Sequence, residues 1–397
     1  MLDDLLRDAS TYPKVTHPKG WTPGVEVAGD NATIITDPID SSDPLENPDV
    51  DSIIRGFELD PADWEIVGNV HVRRWQRYDG EWLRYFRVNL TRRNHAQAAL
   101  AEELLPRVLK RKPVATRTAA PDSSTLVLCY ADFQIGKARE EGGGSRETVA
   151  AFERGIDMTL ERIKRLRKAG EPIERLAILN VGDTVEGCSQ NYPSQAFAVD
   201  LNHRDQQRVA LALFDQGVDA FAPLMEEVII AAVPSNHGEI RQNGKAYTTL
   251  SDNIDMMLME QLAFAYSKNP DRYSHVKFVI AGDEVSVVFE TSNTVIGVTH
   301  GHKTKASGSN IEKAFLDWWR AQAFGERPVR DCQVLVSGHF HHFRAVEVSQ
   351  CRTWFQAPSC DGGSKWFKDI GGADSSRGIL TFTVADGNWD NLKVLRV

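Results

Sequence analysis

Cysteine is scarce, and nothing in its spacing pairs it. Cys129, Cys188, Cys332, Cys351 and Cys360 are odd in number, scattered, and never form a C-x-x-C pair. This excludes a disulfide framework and a zinc ribbon, and it suits ordinary buried thiols in a reducing compartment. No apolar run is long enough to span a bilayer, and Met1-Leu2-Asp3-Asp4 is acidic, without a signal-peptide core. The expectation is a soluble cytoplasmic protein with no membrane partner. Positive charge is not in excess either. The chain has 46 Lys and Arg against 55 Asp and Glu, a formal net charge of −9, which excludes a wholesale basic coat but not a local basic patch. There is no internal repeat and no low-complexity tract. The Gly-rich stretch Asp361-Gly362-Gly363-Ser364-Lys365-Trp366-Phe367 lacks the spacing and following lysine of a phosphate-binding loop and reads as a tight β-turn.

What is present begins with length: 397 residues, 42% of them hydrophobic, suffice for one large domain and a smaller one. Residues 1–64 hold 14 Asp and Glu against 4 Lys and Arg, with prolines at 13, 18, 23, 38, 44, 48 and 61. Few apolar residues recur with any period there, so an acidic, largely extended arm is expected. Residues 65–117 reverse the charge and form a second expected module. Val70–Arg77 and Trp82–Leu90 flank Tyr78-Asp79-Gly80-Glu81, and Asp-Gly between alternating runs signals a hairpin. Trp82, Phe86, Val88 and Leu90 share one strand face. A helical segment, roughly Asn94–Leu109, and the linker Lys110–Pro113 follow. Arg73, Arg74, Arg77, Arg84 and Arg87, crowded around Trp75, can grip nucleic acid, with guanidinium groups on phosphates and aromatic faces under bases. The plainer alternative is a solvated basic face on a packed hairpin.

From Ser124 the pattern changes to regular alternation, and residues 124–397 read as one α/β domain. Apolar strands over 125–130, 176–181, 228–233, 276–281, 294–299 and 333–337 are separated by amphipathic helical segments over 147–168, 205–225, 250–267 and 311–324. Later strands over 345–348, 353–356 and 378–384 look antiparallel, which favours a two-sheet α/β sandwich over one open sheet. The adjacent Trp318 and Trp319 cannot both face one helix stripe, so one of them meets another surface.

Five strand ends deliver polar side chains. They read Tyr130-Ala131-Asp132-Phe133-Gln134-Ile135-Gly136-Lys137, Asn180-Val181-Gly182-Asp183-Thr184-Val185-Glu186-Gly187, Val233-Pro234-Ser235-Asn236-His237-Gly238-Glu239, Val298-Thr299-His300-Gly301-His302-Lys303, and Ser337-Gly338-His339-Phe340-His341-His342. Ligands gather at the carboxyl ends of strands in α/β sheets. Carboxylates, an asparagine carbonyl and imidazoles together suit divalent transition ions. Each Asp or Asn alone is a common turn residue, but that reading does not account for all of them beside His237, His300 and the final histidines. In the last stretch the glycine lets the chain turn out of the sheet, and His339 and His341 can share a side.

In this order and residue type, the series resembles the calcineurin-like metallophosphoesterase superfamily over roughly residues 124–385. The layout is similar to phage-encoded members related to nuclease subunits of double-strand-break repair complexes. The resemblance implies a metallophosphoesterase-type sandwich with a small basic N-terminal hairpin-and-helix module. It implies two divalent ions, manganese first, with iron, zinc or magnesium as alternatives. Asp132, Gln134 and His341 match ligands of one ion, Asp183 the carboxylate bridging both, and Asn236, His300 and His339 ligands of the other. His237 matches a histidine that faces the phosphate. It further implies attack by a hydroxide held between the ions, with Asp183 and His237 as the catalytic pair and His237 assisting the leaving group. Two positions depart from the series. Gln134 replaces a histidine and offers a weaker, harder oxygen, or only a hydrogen bond. Ser235 replaces a glycine, tolerable where no positive φ is needed.

Further readings concern the rim. Lys137, Tyr192, Arg204, Lys303 and Lys305 are candidates for substrate contact or positive potential. His302 and His342 either orient a ligand or are exposed, and His203 and His275 are not expected to ligate. The implied function is hydrolysis of phosphodiesters, with DNA as substrate and partner, as an exonuclease-like enzyme. The resemblance also implies a partner ATPase or a second copy of the chain, and a phage origin would place it in host cytoplasm. A small-molecule or cyclic-nucleotide phosphodiesterase and a catalytically weak DNA-binding scaffold are the alternatives.

Overall fold

The structure is a computed structural model that describes residues 22–28, 31–40, 49–61, 63–66, 70–76, 82–92, 103–138, 144–188, 191–192, 195–242, 244–246, 248–304, 310–361 and 376–397. The chain divides into two units, 1–98 and 99–397. Among the described residues, no helix is long and apolar enough to cross a membrane.

In the first unit, the strands are β1 (Gly24–Ala28), β2 (Asn31–Ile35), β3 (Ile39–Asp40), β4 (Trp64–Ile66), β5 (His71–Gln76) and β6 (Trp82–Arg92), with helix α1 (Val50–Gly56) between β3 and β4. The long strand β6 organises them, because β2, β3, β4 and β5 all pair with it antiparallel. Phe86, Val88 and Leu90 alternate onto one face and pack with Ala32, Ile34, Ile54 and Trp64. The boundary expected after residue 64 therefore falls inside one sheet. A two-stranded hairpin is marginal alone, and the acidic, proline-rich segment supplies the strands and apolar side chains that complete its core. Two more expectations change. Trp82 is 42% exposed instead of joining that face, and Arg84 is buried on it at 9%.

The expected module over 65–117 is also divided, because 103–117 belongs to the larger unit. Residues 103–109 are helical, and Leu104 and Val108 enter the main core. Arg111 then donates to both carboxylate oxygens of the fully buried Asp215, at 2.6 and 2.7 Å.

The larger unit is built on two sheets and a short antiparallel hairpin of β10 (Arg241–Gln242) and β11 (Lys245–Ala246). The first runs β12 (Val276–Ile280), β9 (Glu227–Ala232), β8 (Ile173–Asn180), β7 (Ser124–Tyr130), β18 (Ile379–Ala385) and β19 (Asn388–Leu395). Its first four strands are parallel, and the last two are antiparallel additions. The second runs β13 (Ser286–Thr291), β14 (Thr294–Thr299), β15 (Val334–Ser337), β17 (Arg352–Gln356) and β16 (Arg344–Ser349), with β14, β15 and β17 parallel. Side chains alternate across each sheet. Val127, Cys129, Ala177, Leu179 and Ala231 face Val298, Val334, Val336 and Phe355 in the layer between the sheets. Leu126, Leu128, Tyr130 and Ile178 point the other way, onto helices α2 (Gly144–Lys168), α3 (His203–Phe221) and α4 (Ile254–Ser267). Helix α5 (Ile311–Phe324) covers the second sheet through Phe315 and Trp319, which pack on Leu335 and Trp354. Trp319 also donates to the Val329 carbonyl at 2.8 Å, while Trp318 lies half-buried beside Phe315. The expected two-sheet α/β sandwich is present.

Candidate metal centre

All five polar strand ends meet at the carboxyl edge of the sandwich. β7, β8 and β9 are neighbours in one sheet, and β14 and β15 are neighbours in the other. The backbone turns hard there. Asp132, Gln134, Asp183, His339 and His341 all have positive φ, between 46° and 72°. Left-handed backbone in non-glycine residues is costly and persists where surrounding structure enforces it, commonly at functional sites. Here the enforcement is visible: Asp132, Gln134 and Ile135 N–H groups donate to the carbonyls of Gly182, Asp183 and Thr184. Gly338 has a different role from the turning expected of it. Its φ is not positive, but a Cβ would lie 2.8 Å from Asp132 Oδ2. The glycine makes room for the carboxylate. Ser235, too, is free of positive φ. Its hydroxyl donates to the buried Asp255 and accepts from Gly238 N, so the departure from glycine is absorbed by hydrogen bonds.

Asp183, His300 and His339 offer ligand atoms that all lie within 4.8 Å of one another. Asn236 joins them through Oδ1, 2.9 Å from His300 Nε2, and Asp183 Oδ2 lies 3.1 Å from the same nitrogen. The other ring nitrogen, His300 Nδ1, donates to the Val181 carbonyl at 2.9 Å. That bond fixes the tautomer and leaves Nε2 with a lone pair in the neutral ring. A lone pair facing two oxygens is repulsive unless a proton or a cation lies among them. The protein's charge balance agrees. Burial favours neutral His300, but Asp183 outweighs it and raises the imidazole pKa to about 9. Burial likewise opposes ionisation of Asp183, yet His300 and His237 hold its carboxyl well below the usual range. Burial pushes the His339 pKa down to about 2, leaving a neutral ring suited to ligation. These four side chains fit a divalent ion.

The residues expected for the other ion do not form such a set. Asp132 is completely buried, accepts from His339 N at 3.0 and 3.1 Å, and lies 3.6 Å from His341 Nε2. Both ends of the Gln134 amide have partners in the structure. Its Oε1 accepts from Lys137 Nζ at 2.8 Å, and its Nε2 lies 3.2 Å from His237 Nε2. Lys137 also pairs with Asp361, the first residue of the Gly-rich stretch read as a tight β-turn.

His237 stands beside the cluster, its Nε2 4.0 Å from Asp183 Oδ2. Nδ1 is 2.7 Å from the Glu186 carbonyl, so that nitrogen carries the proton, and it is 3.5 Å from the Glu186 carboxylate. Tyr192 donates to Glu186 Oε1 at 2.7 Å and sets its ring 6.4 Å from the imidazole. Burial raises the Glu186 pKa despite the nearby His237. Glu186 had no assigned role in the sequence, although its place three residues after Asp183 was a usable signal.

The remaining candidates scatter. Lys303 donates to Glu239 at 2.8 Å, Arg204 is exposed on the first turn of α3, and Lys305 lies outside the described residues. His302 packs against His300 and His339, with ring centroids 5.3 and 6.3 Å away, and lies 3.7 Å from Glu239. His342 Nδ1 is bonded to the Phe340 carbonyl, and His275 to that of Ala222. In the N-terminal unit, Arg73, Arg74 and Arg87 are exposed, the Arg74 guanidinium lies 4.4 Å over Trp82, and Trp75 packs edge-on with Tyr85. Arg84 is buried over Phe86, which withdraws it from that surface, and Arg77 lies outside the described residues.

No protein-family model and no curated protein matches the chain. Among solved structures, it is similar to vacuolar protein sorting 29 of Cryptosporidium parvum, at 15% identity over 70% of this chain and 100% of that one, with a TM-score of 0.28. Vps29 of Chaetomium thermophilum matches at 11% identity over 69% and 97%, with a TM-score of 0.29. A Zn2+ complex of Vps29 from Entamoeba histolytica matches at 14% identity over 68% and 98%, with a TM-score of 0.27. Likenesses this distant carry no inference about activity. The strand order itself is that of a two-sheet α/β sandwich.

Proposed function

We propose that the chain is a metal-dependent phosphoesterase that cleaves phosphodiester bonds, with DNA as its substrate. The observation that carries this is the convergence of Asp183, Asn236, His300 and His339 beside a histidine outside their group. A divalent ion held by these four residues supplies Lewis acidity toward a phosphoryl oxygen and acidifies water. The chain's own residues do the rest. His237 keeps its Nδ1 proton on the Glu186 carbonyl, which aims Nε2 away from that bond and toward Gln134. In its protonated form this Nε2 gives a hydrogen bond to a phosphate oxygen and a proton to the leaving oxygen. The Glu186 carboxyl group lies 3.5 Å from Nδ1 on the side away from Gln134. Lys137 adds fixed positive charge on the same side.

DNA as the polymer is supported by the family resemblance and by the exposed Arg73, Arg74 and Arg87 with the Arg74–Trp82 stack, a combination suited to phosphates and bases. Manganese suits the mixed oxygen and imidazole ligands. A partner ATPase or a homodimer belongs to the same proposal.

The test is hydrolysis of labelled single- and double-stranded DNA and of a bis-aryl phosphodiester in Mn2+, with wild type beside His237→Ala and Asp183→Ala. Wild type alone should cleave DNA. His237→Ala should lose about 10²–10⁴-fold in turnover while keeping its metal. Cleavage of the small diester without DNA would redirect the proposal to a small-substrate phosphodiesterase. Silence on every substrate would leave a binding scaffold.

A further inference from the structure

Resting on the reading of these strand ends as a metal centre, we infer that the Lys137 ammonium group takes the place of the expected first ion. The chain then holds one divalent ion, not two. Lys137 bridges Gln134 Oε1, at 2.8 Å, and the Asp361 carboxylate. The pair is well shielded, with side chains 20% and 3% exposed. Asp361 is itself fixed. Ser359 Oγ lies 3.0 Å from its Oδ1 and 2.7 Å from the Asp132 carbonyl, and Asp361 N donates to the same hydroxyl at 2.9 Å. His341 completes the enclosure, 3.6 Å from Asp132 and 3.9 Å from Asp361.

The loop that carries the lysine is clamped on both sides. Ile135 bridges to Val185, Lys137 bridges to Val199, and Lys137 N donates to the Gln134 carbonyl. The lysine is thus delivered by backbone that cannot readily move aside. Gln134 is committed as well. Turning its amide over would set an NH2 group against the ammonium and its oxygen against His237 Nε2, in place of the present contacts. A second divalent ion would meet a half-buried ammonium and no free neutral donor at position 134. Repulsion between like charges in such a low-dielectric place is strong. Gln134 and Lys137 therefore act as one substitution: the glutamine gives up a metal ligand, and the lysine places its amino group there instead.

Metal counting separates this inference from the function on which it rests. Metal-free full-length chain is loaded with excess Mn2+, freed of unbound ion, and analysed by elemental analysis and electron paramagnetic resonance. One Mn2+ per chain with the hyperfine pattern of an isolated ion is expected for wild type. Gln134→His combined with Lys137→Ala should take up a second ion and show the broadened signal of a coupled pair. Two coupled ions on wild type would overturn the inference while leaving the metal centre intact. No ion on wild type would overturn both. A double variant that melts like wild type yet still holds one ion would show that Lys137 does not close the site, and would also overturn it. Lys137→Met is a second route to the same count should the double variant fail to fold.

Discussion

Gly338→Ala separates a steric requirement of the site from general loss of stability. The glycine's φ is one that alanine adopts freely, so backbone strain is absent. Space is what lacks. The new Cβ would lie 2.8 Å from Asp132 Oδ2 and 3.4 Å from Ala131 Cβ and Val181 Cγ1. An ordinary carbon–oxygen contact is longer, so the carboxylate must shift by roughly half an ångström, against two hydrogen bonds from His339 N and full burial. Overpacking of this kind costs about 1–3 kcal/mol. In a domain of this size each kcal/mol lowers the melting temperature by roughly 2–4 °C. Because the displaced bonds hold His339, Mn2+ affinity should fall as well. Gly170→Ala is the control. That glycine has φ +97° and no atom within 4 Å of an added Cβ, so alanine there suffers only backbone strain of roughly 1–2 kcal/mol. Thermal melts and isothermal titration with Mn2+ on both variants should show similar stability losses and weakened metal binding in Gly338→Ala alone. Equal Mn2+ affinity in the two variants, or a Gly338→Ala melt identical to wild type, would refute the reasoning.

Two further predictions concern charges away from the ligands. Arg111→Met strands the completely buried Asp215, which also accepts from Tyr266, and should cost about 3–5 kcal/mol by urea unfolding; a loss under 1 kcal/mol would mean the ion pair does not anchor residues 103–117. Burial opposes ionisation of Glu239, but His302, Lys303 and Arg241 outweigh it and lower its pKa from 4.5 to about 2. Its contribution is thus fully present above pH 4.5 and lost as pH falls through about 2. Glu239→Gln should therefore flatten the acid limb of the stability profile between those values, and an unchanged limb would remove Glu239 from the network.

The main α/β pattern and most of the polar set were legible without coordinates, for a local reason. A parallel strand buried on both faces must be an apolar run, and the polar residues that follow it mark its carboxyl end. Val334–Ser337 followed by Gly338-His339 shows this in a single stretch. The sequence by itself therefore determined the alternation of elements, the edge where function gathers, and the identities of Asp183, Asn236, His300 and His339 as candidates. Tertiary structure decided the rest. Strands β1–β4 join the sheet of β6 because Ala32, Ile34, Ile54 and Trp64 find its apolar face, a match invisible in an acidic, proline-rich segment. Arg84 is buried although its cross-strand partner Arg74 is exposed, a difference set by the packing around β6 and not visible in the local sequence. Asp361 reaches Lys137 across 224 residues, and no local pattern announces that pairing. Which residues are polar at a strand end is written locally. Whether a glutamine there faces a cation of the solvent or one of the chain's own depends on which distant side chain the fold brings against it.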